Sequence, residues 1–300
     1  MTTSGTDAAA DFRRALRRGA PRLRRDLPWI NHPDPWAILV SEVMLQQTST
    51  SRVVDPWRRF LERFATPTAL ADAPLSDALA AWAGLGYHRR ARDLHGAAGL
   101  IVTRFAGAVP SSLEDLRSLP GVGAYTASAV ASFAFHAPVA VIDTNVGRVL
   151  ARAWSNRTLS RAEATRESAR LMGRAASAPF NQAMLDVGAR HCRSRALCEG
   201  CPLARVCRWR REGGADPAPA SAGVSRRQAP FEGSRRQVRG ALLREVRERG
   251  PRTLAELRRD LAPLTPERLD DALASLARDG LVEWDGDVVR VAGSAAVDAR

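Results

Sequence analysis

From about residue 34 to 207, apolar residues recur every three or four positions, with Pro and Gly between the runs. That spacing places them on one face of successive α-helices. Strand-like alternation is almost absent there. Pro138-Val139-Ala140-Val141-Ile142 is the one short apolar run that fits an extended segment. The two ends read differently. Residues 1–22 look like a mobile basic arm, with Arg13, Arg14, Arg17 and Arg18 at helical spacing. Residues 213–230 are rich in Gly, Ala, Pro and Ser and predict a linker, bounded at 213–233. A small module follows over 234–293. Its pattern predicts helices at 234–249, from near Thr253, and from Thr265 to Arg278. Thr265-Pro266 is a helix start and Gly280 a stop. Asp285-Gly286 between Leu281–Trp284 and Val288–Val291 marks a hairpin. Three helices and a hairpin describe a winged-helix-like module. No internal repeat is present.

Composition changes the picture in two ways. The formal net charge is +13, which points to a polyanionic partner, with nucleic acid first among them. All 45 basic residues are arginine. Without lysine, no side chain can form a Schiff base, hold a pyridoxal cofactor or serve a P-loop. No run of 18 apolar residues predicts a membrane span, and no apolar signal segment opens the chain. A cytoplasmic protein is expected.

The four cysteines lie within 16 residues, as Cys192-x5-Cys198-x2-Cys201-x5-Cys207. This clustering suits a metal site or an iron–sulfur cluster, and spacing alone leaves zinc and iron–sulfur both open. Disulfides within the segment are the lesser alternative. Arginines flank the cluster on both sides and suit a phosphate-facing surface.

The sharpest motif is Leu113–Ala127. A short apolar-faced helix runs into Pro120-Gly121-Val122-Gly123, and a second helix follows to about Phe135. Gly121 and Gly123 permit a tight turn with bare amide N–H groups beside a helix N-terminus, which is a phosphate site. An ordinary glycine-punctuated helix connection is the plainer alternative. Two carboxylates have chemical promise. Glu42 sits in Ser41–Thr48 on a predicted helix, among Leu39, Val43 and Leu45. An apolar setting would raise its pKa and keep it protonated, whereas an exposed helical glutamate would do nothing. Asp143 precedes Thr144–Leu150 at a helix N-cap, and capping alone could explain it.

Taken together, the segments SEVMLQQT, GLGYHRRARDLH, LPGVGAYTA, VIDTNVGRVLAR and NQAMLDVGA and the cysteine cluster resemble MutY-type adenine DNA glycosylases. These belong to the helix–hairpin–helix superfamily, with endonuclease III as a relative. The resemblance covers about residues 27–207. It implies an all-α two-lobed helix–hairpin–helix glycosylase core with an iron–sulfur cluster loop over 23–212, followed by the winged-helix-like α+β domain. Glu42 matches the glutamate that protonates adenine N7, and Asp143 the aspartate that stabilises an oxocarbenium-like sugar. Tyr125 and Asn145 match residues that order the carboxylates and the sugar. Gln47 matches a wedge beside the flipped nucleotide, and His88 a second intercalating position, commonly tyrosine. Cys192, Cys198, Cys201 and Cys207 match the ligands of a [4Fe-4S] cluster.

Bifunctional relatives carry a catalytic lysine where this chain has Tyr125. A monofunctional enzyme that leaves an abasic site is therefore implied. Its substrate would be duplex DNA with adenine opposite 8-oxoguanine or guanine, bound by a monomer at the nucleoid. The chain departs from the family in three places. Five residues separate Cys192 and Cys198 where six are usual. Ile30 follows Leu27-Pro28-Trp29 where arginine is usual. The C-terminal module is too short for the Nudix-like domain that reads 8-oxoguanine in many members. A thymine glycosylase acting at G:T mismatches and a catalytically silent DNA-binding protein are the alternatives on the same scaffold.

Overall fold

The computed structural model describes residues 3–224 and 230–294; part of the expected arm (1–2) and of the expected linker (225–229) lies outside the described residues. The chain divides into two units. One lies within residues 1–38, 111–114 and 123–226, the other within 39–110, 115–122 and 227–300.

In the first unit the expected mobile arm is a helix, Thr3–Leu23. Phe12, Ala15, Leu16 and Leu23 share one face and are buried beside Val149, Leu150 and Met184. Burying each large side chain of this kind contributes about 1.5–3 kcal/mol. Of the arginines that suggested an arm, Arg14, Arg17 and Arg18 are exposed, whereas Arg13 is half-buried and donates to the Leu171 carbonyl at 3.1 Å. Basic composition masked an apolar stripe at three- and four-residue spacing.

The run 138–142 is not part of any strand. Asn181 takes the place of a strand partner: Nδ2 donates to the Val139 carbonyl at 2.9 Å, and Oδ1 accepts from the Val141 N–H at 3.3 Å. One buried amide thereby satisfies backbone groups that a sheet would otherwise have paired.

The described part of the expected linker is also packed. Pro217, Ala218 and Ser221 are buried. The Ala222 N–H donates to the Leu159 carbonyl at 2.8 Å, and Thr144 Oγ1 donates to the Gly223 carbonyl at 2.5 Å. Small residues that read as flexible let this strap lie close against the start of the Thr144 helix.

The second unit buries Phe60 against Phe64 and Trp82, at ring separations of 5.0 and 5.9 Å. Its C-terminal part follows the predicted elements closely. Helices Arg235–Arg249, Leu254–Asp260 and Pro266–Arg278 precede strands Val282–Asp285 and Val288–Val291. Val238, Leu242, Leu273 and Leu276 form its core. A short strand, Arg252–Thr253, adds to the hairpin, so the sheet is antiparallel with Val288–Val291 in the centre. Thr253 closes a capping box with Glu256, whereas Thr265 caps its helix without a side-chain hydrogen bond. No helix among the described residues is long and apolar enough to cross a membrane.

Candidate active site and nucleic-acid interface

Glu42 lies on the helix Pro35–Leu45 and is 6% exposed. Leu39, Val40, Val43 and Met44 around it are buried too, so the apolar setting read from the sequence is present. The exposed-glutamate alternative is removed. Beyond Leu45 the chain turns at Gln47, which is exposed and has φ 59°. A non-glycine residue in the left-handed region is uncommon and marks a position held by its surroundings. Gln46 supplies one restraint, since its Nε2 donates to the Gly121 carbonyl at 3.2 Å. The glutamine pair therefore divides its work: Gln46 ties down the turn and Gln47 projects from it.

A residue that sequence reasoning passed over organises this half of the site. Arg90 is 8% exposed. Its guanidinium donates to the carbonyls of Met44 at 2.7 Å, Gln46 at 2.6 Å and Gly86 at 3.0 Å, and to Thr48 Oγ1 at 3.1 Å. It also lies 5.3 Å from the Trp82 ring centre. Arg90 thus staples the end of the Glu42 helix to the Gly84–Tyr87 turn. Burial lowers its pKa to about 10. The turn carries His88, which is half-buried rather than projecting as Gln47 does. Its pKa is lowered to about 4, by burial first and then by the charges of Arg247, Arg90 and Arg239, so its ring is neutral at pH 7.

In the hairpin loop, Gly121 and Gly123 are both exposed, but only Gly121 needs to be glycine for the backbone. Its φ is 74°, a conformation that L side chains rarely adopt. Gly123 is extended as N-cap of the helix Ala124–Phe135, and a Cβ there would meet nothing within 4 Å. The fold itself would accept a side chain at 123. Tyr125 is half-buried in the first turn of that helix.

Asp143 is the N-cap of Thr144–Val149, as its position in the sequence indicated. One carboxylate oxygen accepts from the Val146 N–H at 2.7 Å and the other from Asn145 Nδ2 at 2.7 Å. Burial pushes the carboxyl above its ordinary range, while these two donors and the Arg148 charge pull it back toward ionisation. Asn145 Oδ1 in turn accepts from Arg148 at 2.6 Å, and Arg148 Nε donates to the Cys192 carbonyl at 2.6 Å. Asp143, Asn145 and the first cysteine are thereby joined in one hydrogen-bonded chain. Gly188 belongs here too. A Cβ on it would stand 2.5 Å from that of Asn145, so the helix Ser177–Arg190 can approach Asn145 only with glycine at 188.

The four cysteines are free thiols that line one pocket with Val149, Arg152 and Leu203. The disulfide alternative is removed. Burial pushes the Cys192, Cys201 and Cys207 thiols up, Cys201 to about 11. Among the described residues, no three His, Cys, Asp or Glu side chains are arranged to hold a single metal ion. A single zinc needs its sulfurs at about 2.3 Å from one point, whereas a cluster distributes four thiolates over several irons. Four thiols on one pocket are the donor type that a metal or an iron–sulfur cluster takes. Arg152, 1% exposed within the π-helical turn Leu150–Ser155, holds this loop. It donates to the carbonyls of Arg193 at 2.6 Å and Ser194 at 2.9 Å, and pairs with Asp216 of the strap at 2.6 Å.

Residues 40–174 match the family described as HhH-GPD superfamily base excision DNA repair protein. Solved structures share the fold. A thermostable thymine-DNA glycosylase matches with a TM-score of 0.65 and 25% identity, covering 70% of this chain and 99% of that one. Endonuclease III, trapped as a covalent intermediate with DNA, matches with a TM-score of 0.59 and 26% identity, covering 68% and 97%. Relatives named adenine DNA glycosylase align further. That of Mycolicibacterium smegmatis is 45% identical over 273 residues, covering 88% of this chain and 90% of its own. The human one is 37% identical over 214 residues, covering 66% of this chain and 39% of its own. The chain therefore belongs to the HhH-GPD superfamily, and within it to the adenine DNA glycosylase family.

Proposed function

We propose that the protein is an adenine DNA glycosylase of base excision repair, acting on adenine opposite 8-oxoguanine or guanine in duplex DNA and leaving an abasic site. The observation that carries this reading is the 45% identity to a named adenine DNA glycosylase across 88% of the chain. The local chemistry supports it. Extrusion of the nucleotide costs a few kcal/mol, and Gln47, exposed at its turn, would fill the gap left in the stack. The hairpin amides around Gly121 and Gly123 take a backbone phosphate. Glu42, buried among apolar side chains, holds a proton for adenine N7. The C1′–N9 bond breaks with its electron pair going to the base. The Asp143 carboxylate, held by Val146 and Asn145, faces the positive charge developing at C1′, and water completes the hydrolysis. With no lysine to attack C1′, the reaction stops at the abasic site.

Cys192, Cys198, Cys201 and Cys207 would hold a [4Fe-4S] cluster, whose contribution is to knot the loop and its arginines into a fixed phosphate-facing surface. The C-terminal module is read as a winged-helix-like domain. The enzyme works as a monomer on chromosomal DNA in the cytoplasm.

The test is single-turnover base release from duplexes carrying A:8-oxoG, A:G, T:G and A:T, with alkali added afterwards to reveal abasic sites. Release from the first two is expected. Glu42→Gln should slow it by about 10²–10⁴-fold, the usual contribution of a general acid. Release from T:G alone would make the protein a thymine glycosylase on the same scaffold. Silence on all four, with Glu42→Gln binding DNA as the parent does, would leave a binding protein.

A further inference from the structure

The C-terminal module packs on the same turn that Arg90 staples. Arg236, on the helix Arg235–Arg249, donates from Nη1 to the Tyr87 hydroxyl at 2.8 Å. Its guanidinium lies 5.9 Å from the Tyr87 ring centre, and that of Arg90 lies 5.4 Å away. Two cations from separate segments thus hold one ring. Tyr87 itself has φ 50°, a conformation that is uncommon for a non-glycine residue and persists only where the surroundings impose it. Further contacts fix the same docking. Arg92 donates to the Asp279 carbonyl just beyond the helix Pro266–Arg278, and the Asp279 carboxylate pairs with Arg239 at 2.5 Å. Arg236 and Arg239 therefore turn inward, onto the protein.

We infer that the C-terminal module is a positioning device for the recognition turn: Arg236 holds Tyr87, and through it His88, in the conformation that meets the base pair. The module then helps determine which mispair is accepted while standing behind the turn rather than on the DNA. Arg236 is a positioning residue that acts through Tyr87. This inference rests on the function proposed above.

The test uses the full chain with Arg236→Met, Tyr87→Phe and the two combined. Two quantities are read: affinity for a duplex with an abasic-site analogue opposite 8-oxoguanine or guanine, and single-turnover adenine release from A:8-oxoG and A:G. Each single change should weaken affinity, or alter the preference between the two opposite bases, by about three- to tenfold, the net worth of one hydrogen bond. The rate at saturating enzyme should stay within about twofold, since binding and not the transition state is affected. The double variant should be no worse than either single one, because both remove the same bond. Arg236→Lys, which keeps a donor, should recover part of the loss. Additive losses would overturn the inference. So would a salt slope lowered by about 0.9 in Arg236→Met with Tyr87→Phe silent, which would make Arg236 a phosphate contact. Parental behaviour in all variants would overturn it as well. Should the parent protein release no adenine from any duplex, the function reading fails on that result, and the coupling of the two variants in DNA affinity still decides this inference.

Discussion

Each unit is held by a buried arginine, and the two are neutralised in different ways. Arg90, 8% exposed, gives its hydrogen bonds to backbone carbonyls and to Thr48, with no carboxylate among those partners. Arg152, 1% exposed, has carbonyl partners too, but its Nε and Nη2 also engage both oxygens of Asp216. The difference shows in their titration. Burial lowers the pKa of Arg90 to about 10, whereas at Arg152 burial is outweighed by Asp216 and Cys192, and the pKa rises. A guanidinium can be kept in a protein interior by dipoles alone when enough carbonyls converge on it. It is kept more firmly charged when a bidentate carboxylate is added. The carbonyl-only arrangement fixes backbone at the Gly84–Tyr87 turn and brings no acid into it. The paired arrangement fixes the cysteine loop and binds the strap to it.

The comparison can be broken, and the largest effect is expected at Arg90. Arg90→Met takes a donor from the carbonyls of Met44, Gln46, Leu85 and Gly86, of which Gly86 keeps Trp82 Nε1, and the loss should be about 3–5 kcal/mol in urea unfolding, since each buried acceptor left unmet costs about 1–3 kcal/mol. A loss near zero would mean that these carbonyls are met by water and that the staple is not structural. Asp216→Asn should cost about 1–3 kcal/mol, because it strips a buried cation of its charged partner. It should also release the 214–224 strap to proteolysis while leaving Arg90's segment as protected in hydrogen exchange as before. A smaller effect, about 1 kcal/mol, is expected from Thr48→Val, which removes one hydroxyl acceptor among several.

The fourth expectation concerns pH. The Asp216 pKa is lowered, chiefly by its hydrogen bonds from Arg152. Its contribution is therefore present above the ordinary carboxylate range and is lost as pH falls through the lower folded value. No such group attends Arg90. Hydrogen exchange at acid pH should accordingly loosen residues 192–194 and 214–224 before residues 43–48 and 85–87. Simultaneous loosening would show that the carboxylate makes no difference between the two arginines.

Much of this was legible in the sequence, and the reason differs from residue to residue. The Asp143 N-cap, the Gly121 turn and the capped helices of the C-terminal module are local devices. Each is specified by side chains within a few residues of the backbone they serve, so their spacing in the chain is enough to read them. The Thr3–Leu23 helix was equally local, yet its apolar stripe was hidden by the arginines on its other face. The strap at 214–224 was misread for a different reason. Small residues and proline indicate flexibility when nothing lies nearby, and close packing when something does.

The sequence by itself determined the helical core, the helix–hairpin–helix, the grouping of four cysteines, the family, and the absence of any lysine chemistry. Tertiary structure alone decided that Arg90 and Arg152 are hubs among 45 arginines, that Gly188 must be bare for Asn145, and that Arg236 meets Tyr87 rather than solvent. The contacts of Arg90, Arg152 and Arg236 reach as far as 47, 64 and 149 positions along the chain, and no periodicity or local propensity encodes those. An arginine's role depends on whether carbonyls, a carboxylate or a ring converge around it, and that convergence exists only once the chain is packed.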